Sequence, residues 1–372
     1  MKGVIMFAEI DLNELSELSS NEKTFLSVYI SSPKSLSTLD RRVERMGRVL
    51  NRGGSSKDEH EHFQLNREAV KEYLDKNPFV SGSLCLISCW GMDFFRAYAL
   101  PVACPDLVRF DSSPYIRPLA ELKDEYENAA VVIADNRKAR IFMVAAAASG
   151  PESSVEGNIK NHVRKGGWSQ QRYERRRDKQ MLLYVREIVD ALERLSKVED
   201  FRRILLVGGK EVLRILFENL PPHLRKQADR KALDLGKDER VVNHEIRELF
   251  LERERRSERE LWEKIRSEYL RGGLGIVGVE DVWKAVSEGR AESVIVIRDL
   301  EAAGMRCREC ENLRPGGDAV CSACGSQSLF PVDMINEIVE SAKRSGADVD
   351  FCDPIPSLAE AGGIAAFLRY NY

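Results

Sequence analysis

Short apolar runs alternate with amphipathic stretches over the first third of the chain. Two stretches, 39–50 and 63–77, repeat their apolar residues at helical spacing. Three runs of aliphatic and aromatic residues predict strands at 25–30, 83–90 and 94–100. We therefore predict an α/β domain over residues 1–128, with the polar stretch 51–62 as a solvated loop. The two histidines of that loop have nothing to fix a ligand geometry, so no metal site is predicted there.

The middle of the chain opens with two β-like runs around a polar Asn-Arg-Lys turn at 129–144, which is the pattern of a hairpin. Beyond a hydrophilic loop, the apolar pattern predicts a helix, a buried strand and a long charged helix, at 181–195, 204–207 and 239–270. The acids and bases of the charge run 252–260 are equal in number, so we interpret it as a solvated face rather than an RNA-binding one. The alternation predicts a second α/β domain over 129–271.

Gly272 and Gly273 end the long helix and begin the last third of the chain. Here the pattern predicts helices at 279–286 and 332–344, and β runs at 293–297, 349–351 and 364–368. A cysteine-containing insert, 305–330, separates the first β run from the second helix. We predict a small α/β/α sandwich over 272–372 with this insert in one of its loops.

Composition fits a folded, multi-domain protein of 372 residues, with 43% hydrophobic and 31% charged residues. The net charge of −3 says little by itself, because 57 basic and 60 acidic residues can be distributed unevenly. The opening apolar run is only a few residues long and is followed by Glu9 and Asp11, so neither a signal sequence nor a membrane span is predicted. We expect a cytoplasmic protein that binds no membrane and no small-molecule substrate.

Four of the eight cysteines form two Cys-x-x-Cys pairs, Cys307 with Cys310 and Cys321 with Cys324, ten residues apart. Each pair can present two thiolates to one tetrahedral ion, and the Asn- and Gly-containing stretch between them can supply the turn that this needs. Four protein ligands leave no open coordination position, so the spacing predicts a structural Zn²⁺ ribbon. The alternative is a pair of redox-active dithiols.

A strongly basic segment, 160–179, follows the hairpin. It carries eight Lys or Arg against two acids, a local charge of +6 in a chain of −3, which indicates a polyanionic partner. Trp168 and Tyr173 can stack on bases, and Gly166 and Gly167 allow a close backbone approach. The alternative is a basic loop followed by an ordinary helix start. The candidate RNA-binding residues are Arg164, Lys165, Gly166, Gly167, Trp168, Ser169, Gln170, Gln171, Arg172, Tyr173, Arg175 and Arg176.

This segment resembles the central-domain loop of the archaeo-eukaryotic class I release factors and Pelota proteins. In that family a basic approach, a Gly-Gly-Gln tip and a Ser-x-x-Arg-[Phe/Tyr]-x-Arg helix start follow in order. The matching residues here are Gly166, Gly167, Ser169, Arg172, Tyr173 and Arg175. The stretch 275–300 is similar to the opening of the family's C-terminal domain, and Gly362-Gly363-Ile364 before a β run is also similar. The resemblance covers about 129–372 and is greatest to the divergent bacterial and archaeal, Balon-like branch.

The resemblance implies a three-domain α/β architecture. The central domain would be RNase H-like, with its loop at the peptidyl transferase centre. The C-terminal α/β/α domain would resemble kink-turn-binding ribosomal proteins, carry the zinc ribbon and contact a translational GTPase such as elongation factor Tu. The family's Asn-Ile-Lys-Ser decoding motif is missing from residues 1–128, and the only Asn-Ile-Lys, at 158–160, lies in the central loop. Stop-codon reading is therefore not predicted.

Trp168 stands where the family's catalytic glutamine would be. A glutamine amide can position water and stabilise an oxyanion, whereas indole has one donor, no acceptor and more bulk. The sequence therefore predicts a non-catalytic binder of the ribosomal A site and ribosomal RNA, acting in hibernation, protection or stalled-ribosome recognition. Two alternatives stay open: a factor that still hydrolyses peptidyl-tRNA, and a zinc-ribbon RNA-binding protein that works off the ribosome.

Overall fold

A computed structural model describes residues 5–6, 10–52, 55–80, 82–100, 104–125, 129–136, 138–145, 148–156, 168–197, 201, 203–233, 239–317 and 319–371. The chain divides into two compact units. One combines Met1–Glu125 with Glu254–Tyr372, and the other is Tyr126–Arg253. The chain is mixed α/β, as the sequence predicted. The division into three domains stays a prediction.

The first half of unit 1 is a five-stranded sheet with helices. Its strands are β1 (Ile5–Met6), β2 (Phe25–Ile30), β3 (Ser83–Cys89), β4 (Phe94–Leu100) and β5 (Leu107–Asp111). Their order is β1-β4-β3-β2-β5, antiparallel except for the parallel β1/β4 pair. The helices are α1 (Leu12–Ser16), α2 (Leu36–Arg52), α3 (Lys57–Lys76) and α4 (Arg117–Glu125). Side chains from β2 and β3 pack against α2 and α3 to form its core.

The predicted loop over 51–62 is wrong in its second half. Helix α3 starts at Lys57, where the Ser56 side chain accepts a hydrogen bond from the Glu59 N–H and the Glu59 carboxylate accepts one from the Ser56 N–H. This reciprocal capping box is a strong helix start. The Ser-x-x-Glu pattern was visible in the sequence, but the many charges around it suggested a loop.

Unit 2 is a five-stranded sheet that packs against one long helix and two shorter ones. Its elements are β6 (Ala129–Ala134), β7 (Lys138–Ala145), β8 (Ala148–Glu156), α5 (Trp168–Leu195), β9 (Arg203–Gly208), α6 (Lys210–Asn219), α7 (Pro222–Lys226) and β10 (Ala228–Ala232). The strand order is β10-β9-β6-β7-β8. The first three strands in sequence form an antiparallel meander and the last two run parallel to β6. This is the strand order of an RNase H-like domain.

The second half of unit 1 contains a four-stranded sheet and a three-stranded sheet. The elements are α8 (Glu239–Leu270, of which Glu254–Leu270 lies in this unit), β11 (Gly275–Val277), α9 (Val279–Ser287), β12 (Ala291–Ile297), β13 (Ala303–Cys307), β14 (Leu313–Pro315), β15 (Leu329–Asp333), α10 (Met334–Ser345), β16 (Asp348–Cys352), α11 (Pro356–Glu360) and β17 (Ile364–Leu368). The larger sheet has the order β11-β17-β12-β16, and the smaller has the order β14-β13-β15.

Trp262 and Ile265 of α8 pack against the larger sheet in a buried cluster. The charge run 252–260 that precedes them is mostly exposed, as predicted, but Glu258 is only 8% exposed. Burial raises the pKa of Glu258 to about 7, and the neighbouring Glu254 adds to the effect. The interpretation of that run as a wholly solvated face is therefore wrong at this position.

Candidate functional site

The four predicted zinc ligands come together at one end of the three-stranded sheet. Their sulfur atoms all lie within 4.8 Å of one another. The Sγ atoms of Cys307 and Cys324 are 3.6 Å apart, as are those of Cys310 and Cys321. The edge of a tetrahedral zinc–thiolate site, with Zn–S near 2.3 Å, is about 3.8 Å. A disulfide would need about 2.05 Å. The arrangement therefore suits a four-thiolate metal site.

The two Cys-x-x-Cys turns have the same backbone geometry. The N–H of Cys307 donates to the Asn312 carbonyl, and the N–H of Cys321 donates to the Ser326 carbonyl, five residues on in both cases. The residue after the second cysteine of each pair is left-handed: Glu311 has φ 58° and Gly325 has φ 76°. Glycine adopts this conformation without strain, whereas Glu311 does so at a cost. The paired turns bring four sulfurs to one point.

The first cysteine of each pair is buried and the second is exposed. The backbone N–H of Cys324 favours the Cys321 thiolate and lowers the pKa of that thiol to about 6. The N–H of Cys310 lowers the pKa of Cys307 in the same way. By contrast, burial raises the pKa values of Cys85 and Cys352. Within the cluster, the pKa values of Cys310 and Cys324 are raised, so the first cysteine of each pair is the one favoured as a thiolate, the form that binds metal.

The cysteine ribbon is joined to the first half of unit 1 by a buried ion pair. Arg308, between the first two cysteines, donates to both carboxylate oxygens of Glu59, at 2.5 and 3.1 Å. Glu59 is fully buried and Arg308 is 17% exposed. The guanidinium also lies over the Phe330 ring, 4.8 Å from its centroid. Arginine, unlike lysine, can combine a bidentate pair with a carboxylate and a flat contact with an aromatic ring.

Glu59 is fully satisfied by its neighbours. Besides Arg308, its carboxylate accepts hydrogen bonds from the backbone N–H groups of Lys23 and Ser56, both at 3.1 Å. Burial opposes its ionisation, but these donors outweigh that effect and lower the pKa of Glu59. Sequence inspection missed this pair because its two residues are 249 positions apart.

The basic segment is described only in part. Arg164, Lys165, Gly166 and Gly167 lie outside the described residues. The backbone is helical from Trp168, so α5 starts at the position after the two glycines. The side chains of Trp168, Ser169, Gln170, Gln171, Arg172 and Tyr173 are also outside the described part.

The side chains of α5 are described from Arg175 onwards. Arg175 and Arg176 are exposed, as an RNA-binding role requires. Arg177 differs, because it pairs with Glu211 of α6 at 2.5 Å. The local charge of +6 is therefore partly neutralised within unit 2, and the exposed cations are those on the outer side of the helix.

Sequence comparison finds known proteins that are similar to this chain. The profile of bacterial archaeo-eukaryotic release factor family 10 matches residues 114–250. Proteins named peptide chain release factor subunit 1 are also similar. The one from Methanococcoides burtonii is 23% identical over 297 residues, 70% of each chain, and the one from Methanopyrus kandleri is 27% identical over 214 residues. Over these residues the chain is similar to release factors of the archaeo-eukaryotic type.

The match to the Methanopyrus factor covers 55% of this release-factor-like chain. The chain spans about half, 52%, of the length of that protein. Among solved structures, an archaeal translation termination factor, aRF1, is similar at 18% identity over 96% of both chains, with a TM-score of 0.27. Dom34 of Saccharomyces cerevisiae is similar at 11% identity over 75% of both chains, with a TM-score of 0.44.

Within the described residues, no helix is both long and apolar enough to span a membrane. Of those residues, the four cysteines are the only group of His, Cys, Asp or Glu side chains arranged to hold a metal ion. The described chemistry of this release-factor-like chain is therefore concentrated at the cysteine cluster and along α5.

Proposed function

We propose that the chain is a translation factor that binds the ribosomal A site and does not hydrolyse peptidyl-tRNA. It would act in hibernation, protection or stalled-ribosome recognition. One observation carries the proposal: α5 begins at Trp168 directly after Gly166 and Gly167, where release factors place their Gly-Gly-Gln tip. The similarity to proteins named release factors supports a ribosomal role.

The tryptophan changes what the tip can do. Release requires a group that positions water against the ester and stabilises the developing negative charge on oxygen. The indole of Trp168 offers one N–H donor and no acceptor, so it cannot replace the amide. Its flat, apolar surface is suited to stacking on an RNA base instead.

Peptide release from programmed ribosomes tests the proposal. We expect the native protein to co-sediment with ribosomes and to release no more peptide than a buffer control. Release at the rate of a Gly-Gly-Gln factor would show that Gln170 or the backbone suffices, and would favour a rescue factor. Binding to free RNA without co-sedimentation would favour the off-ribosome role.

The remaining domains have proposed roles as well. We assign residues 1–128, 129–271 and 272–372 to three functional domains, the last of which would contact a translational GTPase such as elongation factor Tu. The release-factor plan supports this assignment. Pull-down of the purified GTPase by full-length protein tests it, and failure to bind in the presence of GTP and ribosomes would contradict it.

We propose that the cysteine cluster holds one structural Zn²⁺. Four thiolates suit zinc and leave no position for substrate or water. Cys307, Cys310, Cys321 and Cys324 would be its ligands, and the bound ion would hold together the two turns that place Arg308 against Glu59.

A further inference from the structure

The outer face of α5 carries a row of residues whose spacing follows the helix repeat. Starting from Trp168, positions four, seven, eleven, fourteen and eighteen residues on are Arg172, Arg175, Lys179, Leu182 and Arg186. Residues at this spacing lie on one side of an α-helix. From the first to the last of them, the row extends about 27 Å at 1.5 Å per residue.

The opposite face of α5 packs in the core of unit 2. Met181, Tyr184, Val185, Ile188 and Leu192 are buried against the strands of the unit 2 sheet. These residues lie about half a turn away from the row that contains Lys179 and Arg186. The row therefore points away from the sheet, and Arg175, Lys179 and Arg186 are all exposed.

The exposed cations of the row lack an ion-pair partner among the described residues. Within the described part of the chain, Arg175, Lys179 and Arg186 form no ion pair, whereas neighbouring Arg177 is paired with Glu211. A cation that is already paired within the protein displaces few counterions from a nucleic acid. An unpaired cation can contact a phosphate and displace its counterion. Leu182 is 40% exposed in the same row and leaves apolar surface between the cations.

We infer that this row continues the RNA-binding surface from the Gly-Gly tip down α5, with Lys179 and Arg186 contacting the backbone of an RNA strand. The inference rests on the proposed function and adds two residues, Lys179 and Arg186, to the candidate RNA-binding residues, which end at Arg176. RNA is favoured over an acidic protein because the row starts at Trp168 and Arg172, in the segment whose charge and aromatic content fit nucleic acid.

The test compares two double variants of the full-length protein that remove the same charge. Lys179→Ala with Arg186→Ala removes the unpaired cations. Arg177→Ala with Arg214→Ala removes two cations that are ion-paired, with Glu211 and with Glu218. Alanine is the best helix former, so none of the four substitutions should weaken the helix that carries it. The probe is a fluorescein-labelled 20-nucleotide oligouridine, titrated by anisotropy across a salt series.

We expect the first variant to reduce the slope of log affinity against log salt by about 1.4, since each phosphate contact of a single strand contributes about 0.7. The control variant should keep the wild-type slope. An unchanged slope in the first variant, or an equal reduction in both, would overturn the inference.

Ribosome binding separates this inference from the proposed function. If Arg164→Ala with Lys165→Ala weakens ribosome binding but the Lys179 and Arg186 variant does not, the row is not a contact and the proposed function stands. If the native protein does not bind ribosomes, the proposed function fails whatever the oligouridine result. A loss of ribosome binding with an unchanged oligouridine slope would assign the row to an acidic protein instead.

Discussion

At the residue scale, Trp168 and its neighbouring cations should contribute to ribosome binding in different ways. If the indole stacks on a base, Trp168→Ala should weaken binding by about 1 to 3 kcal/mol. It removes no charge, so the salt dependence should stay the same. Arg164→Ala with Lys165→Ala should instead flatten that dependence. Equilibrium binding to purified ribosomes across a salt series measures both effects.

Trp168→Phe is the matched control, because it keeps an aromatic face. It should recover most of the lost affinity. Wild-type affinity in the alanine variant would mean that the tryptophan does not stack, and the main chemical reason for its place at the tip would be lost.

The Glu59–Arg308 pair makes a second prediction at this scale. Arg308→Ala would leave a fully buried carboxylate without its main counter-charge, which costs about 3 to 5 kcal/mol in comparable buried pairs. Urea unfolding at pH 7 measures the loss. Glu309→Ala, at an exposed position in the same turn, should change stability by less than about 0.5 kcal/mol.

The cost of Arg308→Ala should also depend on pH. The folded-state pKa of Glu59 is lowered, so the pair stabilises the protein above the unfolded pKa near 4.5 and loses this effect as pH falls through the lower folded value. The variant and wild type should therefore converge in strong acid. Equal stability at pH 7 would show that Glu59 does not depend on Arg308.

At the element scale, the segments with a clear apolar period were predictable and the polar ones were not. Strand β2 and helix α8 have the predicted bounds, because their apolar residues repeat at strand or helix spacing. Strands β8 and β10 were missed. Their sequences, ASGPESSVE and ADRKA, are polar, and both lie at the edges of the unit 2 sheet, where only one side pairs with another strand.

The cysteine ribbon is an element that we expect to need its metal. Its strands β13 and β14 have five and three residues, and its buried cluster is small. Binding energy from four thiolates would then supply folding energy that this core lacks. Cys307→Ser and Cys321→Ser should each abolish the one zinc per chain measured by elemental analysis.

Cys104→Ser is the control for those variants, because Cys104 is buried in the other half of unit 1 and takes no part in the cluster. It should retain a full equivalent of zinc. A native protein purified without zinc, or ribbon variants that keep it, would contradict the proposed metal site.

At the scale of the whole molecule, polar side chains join distant parts of unit 1. Asn336 of α10 accepts hydrogen bonds from the N–H groups of Ile116 and Arg117, and so caps the start of α4 from about 220 residues away. Tyr115 donates to Asp333 at 2.7 Å. In the sequence these polar residues resemble surface positions. Their burial depends on partners that no local pattern could reveal, and so their part in the fold could not be predicted.

The same contact region holds two buried acids, one turn apart on α10. Glu337 is 2% exposed and is paired with Arg306 at 2.5 Å, while Glu340 is 1% exposed and accepts a hydrogen bond from the Ser113 hydroxyl at 2.8 Å. Arg344 lies 3.9 Å from Glu340. Burial raises the pKa of Glu337 to about 7, despite Arg306. Burial and the nearby Glu337 charge raise the pKa of Glu340 well above its usual value.

These shifts make unit 1 less stable as pH rises. An acid with a raised folded pKa holds its proton more tightly in the folded state. Its contribution to stability is therefore greatest below the unfolded pKa near 4.5, and it decreases as pH rises through about 7 for Glu337 and beyond for Glu340.

Glu340→Gln removes one of these charges and its repulsion of the other. Between pH 5 and 8 the variant should therefore lose less stability than wild type, by at least about 1 kcal/mol, because one pKa unit corresponds to about 1.4 kcal/mol. Urea unfolding across this range measures the difference, with Glu360→Gln at an exposed position as the control. Parallel curves for wild type and Glu340→Gln would mean that Glu340 ionises in the folded protein at no cost, and Glu340 would then have no influence on the pH dependence of the molecule.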